Sequence, residues 1–153
     1  MAHWDATAAV NEPVIEWDVP APANTPAAVD GTHLMLRRGI RCAGAHLIVD
    51  VYGGSRLDDI EHIKRTLIGC VEVSRATLLH IHLHHFDDNG GVSGVAVLAE
   101  SHISIHSWPE HDYAALDIFM CGDTAPEACV EVLRDAFRPQ RIAVSEHLRG
   151  RSL

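Results

Sequence analysis

The chain has 153 residues, 47% of them apolar and 22% charged, which suits one domain with a real hydrophobic core. A net charge of −9 with histidines neutral argues against non-specific nucleic-acid binding, which needs a basic face. No run of about 18 apolar residues exists to span a membrane, and "MAHWDATAAVNEP" lacks the basic start and apolar run of a signal peptide, so the expected compartment is the cytoplasm.

Residues 1–38 include "VPAPANTPAAVDG", rich in Pro and Ala and without periodicity, and are expected to form a flexible N-terminal arm. The domain, 39–153, opens with "CAGAHLIVDVYG", where Leu47, Val49 and Val51 alternate with Ile48 and Asp50 as in a strand. In "SRLDDIEHIKRTLIGCVEVS", Leu57, Ile60, Ile63, Leu67 and Val71 recur at helical spacing, with Asp58 and Asp59 expected in the first turn, where the helix dipole favours anions. "TLLHIHLHHF" reads as a strand, "DDNGG" as a turn, and "VSGVAVLAE", "SHISIHSW" and "DYAALDIFM" as three further strands. "TAPEACVEVLRDAF" is a second helix, with Thr124 and Glu127 spaced as a capping box and Cys129, Val130, Leu133, Ala136 and Phe137 on its apolar side. "RIAVSEHL" closes as a strand.

Two helices can cover only one face of such a sheet. The expected fold is therefore an α/β two-layer sandwich, mainly antiparallel, with both helices on one face. If the other face is apolar it needs a partner, so a homodimer is expected.

Cys42, Cys70, Cys121 and Cys129 contain no C-x-x-C pair and are expected as free, mostly buried thiols. Twelve histidines invite a metal reading. His80, His82 and His84 share one side of a strand, as do His102 and His106, and two adjacent strands would gather them. The preferred reading is solvated or hydrogen-bonded histidines, because H-x-H repeats set neither ligand number nor geometry, and no metal is assigned.

The stretch "ESHISIHSWPE" is odd for a core strand, since it carries Ser101, His102, Ser104 and His106. Ser93 lies nearby in "GVSGV", which imitates a nucleophile elbow, but no helix follows it as a serine hydrolase requires. Another chemistry suits these residues better. A serine hydroxyl can attack the carbonyl before it, and elimination then breaks the chain and leaves a pyruvoyl group. Such a cut needs a strained turn, an oxyanion stabiliser and a base. Glu100 and Ser101 supply the bond, Ser93 a hydrogen-bond donor and His106 the base.

"AGAHL", "GVSGVAVLAESHISIHSWPE", "DYAALDIFMCG" and "EHLRGR" together resemble the S-adenosylmethionine decarboxylase proenzyme family in its short prokaryotic form, over about residues 43–151. The resemblance implies self-cleavage between Glu100 and Ser101, with Ser101 becoming the covalent pyruvoyl cofactor. It implies that His106 and Ser93 serve processing, that Cys121 donates a proton in catalysis, and that Phe86, Trp108 and Glu110 bind substrate. It also implies an obligate homodimer of cleaved protomers with the site near the interface, acting on a small molecule in spermidine biosynthesis. A thiol suits proton donation because its ordinary pKa near 8.5 keeps it protonated at neutral pH.

The loop "HHFDDNGGVSG" is one residue longer and more acidic than the family's usual form, which offsets Phe86 from the adenine-stacking aromatic. Asp87 and Asp88 are read as turn formers, or as groups facing a cationic side chain. That keeps ornithine or arginine open as alternative substrates, since the pocket and not the cofactor selects. A histidine-rich metal-binding module and an uncleaved, partner-binding relative are the readings of another class. The intact set Ser93, Glu100–Ser101, His106 and Cys121 speaks against the last.

Overall fold

The structure, a computed structural model, describes residues 33–151 and Leu153, so most of the expected Pro/Ala-rich arm lies outside the described residues. The described chain is already regular before residue 39. Strands β1 (Met35–Arg37) and β2 (Ile40–Cys42) form an antiparallel hairpin, so the expected arm boundary at residue 38 falls between two paired strands. Period-2 pattern is hard to see in three-residue strands, which is why the sequence hides them.

Then follow β3 (Gly44–Tyr52), α1 (Ile60–Val73), β4 (Leu78–His85), β5 (Val92–Leu98), β6 (Ser101–Trp108), β7 (Tyr113–Met120), α2 (Ala128–Phe137) and β8 (Arg141–Arg149). Six strands make one antiparallel sheet in the order β4-β5-β6-β7-β3-β8. Both helices cover the same face, as the two-layer reading requires. Leu47, Val49, Val51, Ile103, Ile105, Leu116 and Ile118 from the sheet meet Ile63, Leu67, Cys129, Leu133 and Phe137 from the helices in one core.

Two local expectations need correction. Asp59 is the N-cap of α1, accepting the His62 N–H at 2.9 Å, so Asp58 and Asp59 precede the first turn. The Thr124–Glu127 capping box does not form. Thr124 Oγ1 donates to the Cys121 carbonyl, and Glu127 is drawn away to Arg37, whose guanidinium it meets at 3.0 Å. A charge-assisted contact with a half-buried arginine outcompetes a backbone cap.

Among the described residues no helix lies over the other sheet face. Strand alternation and the pairing registers put His46, His80, His82, His84, His102, His106 and His147 there, interleaved with Ile48, Tyr52, Val95, Val97, Trp108 and Phe119. This face is mixed rather than apolar, unlike the condition on which the sequence argument for a partner rested. Nor do the β4 histidines converge with those of β6. β5 separates β4 from β6, because successive hairpins stack strands in chain order. Among the described residues no group of three or more His, Cys, Asp or Glu side chains is arranged to hold a metal.

Candidate active site

Strand parity resolves the four odd polar residues of β6. Ser101 points with Ile103, Ile105 and Ser107 toward the core and is 7% exposed. His102, Ser104 and His106 point to the open face. Ser107 is structural, since its hydroxyl donates to the Leu57 carbonyl at 2.7 Å and accepts the Val92 N–H at 2.8 Å.

The Glu100–Ser101 peptide sits in the two-residue turn joining β5 to β6, where Leu98 pairs with Ser101. Glu100 is left-handed, with φ 61°. For a residue with a Cβ this costs about 1 kcal/mol or more relative to the right-handed region. A strained turn was the expected condition for cutting here. Cys121, just past the end of β7, closes over it. Its thiol donates to the Glu100 carbonyl oxygen at 2.8 Å, and its N–H donates to Ser101 Oγ at 3.2 Å. Burial pushes the Cys121 thiol above its ordinary pKa, the Ser101 hydroxyl opposes the shift, and the nearby Glu100 carboxylate adds to the rise. The thiol is thus a protonated donor aimed at a carbonyl oxygen. On the other side, His33 Nδ1 meets Glu100 Oε2 at 2.6 Å.

Ser93 and His106 are also partners, but elsewhere. They face each other across the β5–β6 ladder, with Ser93 Oγ and His106 Nδ1 2.8 Å apart. Gly94 allows this close packing of β5 on β4, because a Cβ there would lie 2.2 Å from the His82 carbonyl oxygen. His106 and Ser101 are five residues apart on one extended strand, hence ~17 Å at ~3.3 Å per residue. One copy of the chain therefore does not join Ser93 and His106 to the bond they were expected to act on.

The expected substrate-binding residues gather at the His106 end. Trp108 lies on the open face, 6.3 Å from the His106 ring and 5.4 Å from the Tyr113 ring, centroid to centroid. Phe86 stands edge-on to His84 at 4.7 Å. Glu110, in the 3-10 turn Pro109–His111, accepts a hydrogen bond from Asn89 Nδ2 at 3.2 Å. Asn89 was read only as part of a turn. It does cap that turn, its Oδ1 accepting the Gly91 N–H at 3.0 Å, but its amide also orients Glu110. No sequence signal distinguishes those two uses of an asparagine.

Between the two ends, the open face holds a polar centre. Asp117 meets His46 Nε2 at 3.1 Å and accepts from Ser104 Oγ at 3.3 Å, while the Tyr113 hydroxyl donates to Asp50 at 2.5 Å.

Residues 45–150 match the family model described as S-adenosylmethionine decarboxylase. The S-adenosylmethionine decarboxylase proenzyme of Thermomicrobium roseum is 42% identical over 112 residues, covering 72% of this chain and 97% of that protein. The proenzyme of Parasynechococcus marenigrum is 48% identical over 104 residues, covering 66% and 80%. The crystal structure of the adenosylmethionine decarboxylase from Aquifex aeolicus superposes with a TM-score of 0.64 at 35% identity, covering 71% of this chain and 92% of that one.

Proposed function

The chain belongs to the S-adenosylmethionine decarboxylase family, and from that premise we propose that it is a proenzyme that cuts itself between Glu100 and Ser101 to make its own pyruvoyl cofactor. The mature protein is a carboxy-lyase that removes CO2 from S-adenosylmethionine, yielding the decarboxylated product used in spermidine synthesis. One observation carries the self-cleavage reading: a left-handed Glu100 whose carbonyl oxygen is held by the Cys121 thiol beside the Ser101 hydroxyl.

The residues suit each step. Ser101 Oγ adds to the Glu100 carbonyl carbon, and negative charge grows on the oxygen that Cys121 faces. The C–N bond then breaks, the hydroxyl proton ends on the released amine, and an ester replaces the amide. Relief of the left-handed turn favours that exchange. A base next removes the Ser101 Cα proton, and the Glu100 carboxylate leaves, so residue 101 becomes a dehydroalanine. Tautomerisation and uptake of one water release ammonia and leave a ketone. The sequence is redox-neutral and needs no added oxidant. Its products are chains 1–100 and 101–153.

The pyruvoyl group supplies a carbonyl that condenses with the substrate amine and accepts the electron pair left by CO2. Cys121, adjacent to residue 101 and held protonated by burial, is suited to return a proton to the substrate α-carbon.

The base is His106, oriented by Ser93, and it comes from a second copy. The ~17 Å gap along β6 supports this, as do Ile48, Tyr52, Val97 and Trp108, each more than a third exposed on the open sheet face. Packing two open faces as a homodimer brings the His106 end of one protomer to the Ser101 end of its partner. It also carries Phe86, Trp108 and Glu110 to the partner's cofactor, with an aromatic ring for adenine and a carboxylate for the ribose hydroxyls.

Release of labelled CO2 from carboxyl-labelled S-adenosylmethionine, ornithine and arginine, assayed side by side, tests the substrate. Release from S-adenosylmethionine alone is expected. Release from ornithine or arginine at a comparable rate overturns the assignment.

A further inference from the structure

The hairpin β1–β2 precedes residues 45–150, the part of the chain matched by the family, yet it is firmly built onto the domain. Arg37, 14% exposed at its side chain, joins Glu146 at 2.7 Å and Glu127 at 3.0 Å, and Arg38 meets the other Glu146 oxygen at 3.0 Å. Met35 and Cys42 pack with Ala45 in a small second core. Ala45 pairs with Met120, next to Cys121, so this hairpin sits at the Ser101 end of the sheet. Just before it, His33 reaches the Glu100 carboxylate.

We propose that His33 is a positioning residue for self-cleavage, held by the β1–β2 hairpin so that its imidazole fixes the side chain of the residue whose carbonyl is attacked. The inference rests on the processing reading above. Two physical effects follow from the contact. The hydrogen bond restrains Glu100 in its left-handed conformation, keeping the carbonyl carbon near Ser101 Oγ and the oxygen on Cys121. It also disperses the carboxylate charge, which otherwise opposes a second negative charge on the same residue's carbonyl oxygen in the first step. That step forms the Ser101 Oγ–carbon bond, breaks the carbon–nitrogen bond and moves the hydroxyl proton to the amine. His33 is no proton carrier in it.

The side chains are 76% and 48% exposed, so water screens the pair and the effect on rate is modest. The same exposure makes substitution at His33 harmless to folding. The test follows conversion of full-length chain to two fragments on denaturing gels, after cell-free synthesis. His33→Ala is expected to slow cleavage about two- to fivefold, the range an exposed ion pair supports. His33→Gln, which keeps a donor, recovers most of the rate. In a Glu100→Ala background, removing His33 has no further effect. Cleavage of His33→Ala at the wild-type rate, or equal slowing in both backgrounds, overturns the inference while leaving self-processing intact. A wild-type chain that never cleaves overturns both.

Discussion

Strand β6 begins at a serine buried in a strained turn and ends beside an exposed serine–histidine pair, and these two ends follow opposite physical rules. At the first end the backbone carries the features that suit the proposed cut. Glu100 is held left-handed, its carbonyl meets a thiol, and its neighbour's hydroxyl is shielded from water. At the other end the backbone is plain ladder, and the residues proposed to act, Ser93, His106 and Trp108, are side chains standing on a sheet face that no described helix covers. The first end presents the bond proposed for cutting, and the imidazole beside it, His33, is engaged with the Glu100 carboxylate. The second holds His106, the proposed base, ~17 Å away along the strand. A single β-strand is too rigid to fold one onto the other, which is why the pairing we propose is between two copies of the chain.

The sharpest way to break this comparison is Ser101→Ala. It is expected to abolish cleavage, so that gels and intact-mass spectra find one unbroken 153-residue chain; any cut at that junction would refute the nucleophile. Next, His106→Ala is expected to slow cleavage about a hundredfold or more, as loss of a general base does. Mixing His106→Ala and Ser101→Ala chains before assembly should rescue cutting of the former, since one intact site forms per mixed dimer. Absence of rescue would mean that both ends act within one chain.

A smaller effect separates the two ends by pH. Burial holds the Cys121 pKa above the ordinary thiol value, so its protonated form persists past the pH at which a free thiol ionises. Processing and turnover measured from pH 7 upward should therefore hold through the range in which a free thiol ionises and decline through loss of the thiol proton only beyond it. The linked stability has the same sign: a raised pKa contributes stability that is complete below the unfolded thiol value and lost as pH rises through the folded one. The smallest effect concerns Glu110. Asn89→Ala should raise KM about threefold with kcat nearly unchanged, the worth of a partly exposed hydrogen bond. A fall in kcat without a change in KM would place Asn89 on the chemical step instead.

Much of this was legible in the residues. Alternation in "AHLIVDVY" and the three-and-four spacing of Ile60, Ile63, Leu67 and Val71 are direct images of one-sided burial, so β3 and α1 fall where expected. What failed was local and short. The β1–β2 hairpin is too brief to carry a period, and the Thr124–Glu127 cap was lost to Arg37, a partner 90 residues away that no window of sequence contains.

The bond proposed for cutting and the groups proposed to act on it were named from the sequence alone, because Glu100, Ser101, His106 and Cys121 keep the same spacing and the same functional groups in any fold. Which of them meet was decided only by the tertiary structure. Strand parity turned Ser101 inward and His106 outward, extension held them ~17 Å apart, and the β6–β7 ladder returned Cys121 to Glu100 across 21 residues of chain. Spacing along a chain measures covalent distance, whereas reactivity depends on contact, and in a sheet contact is set by register.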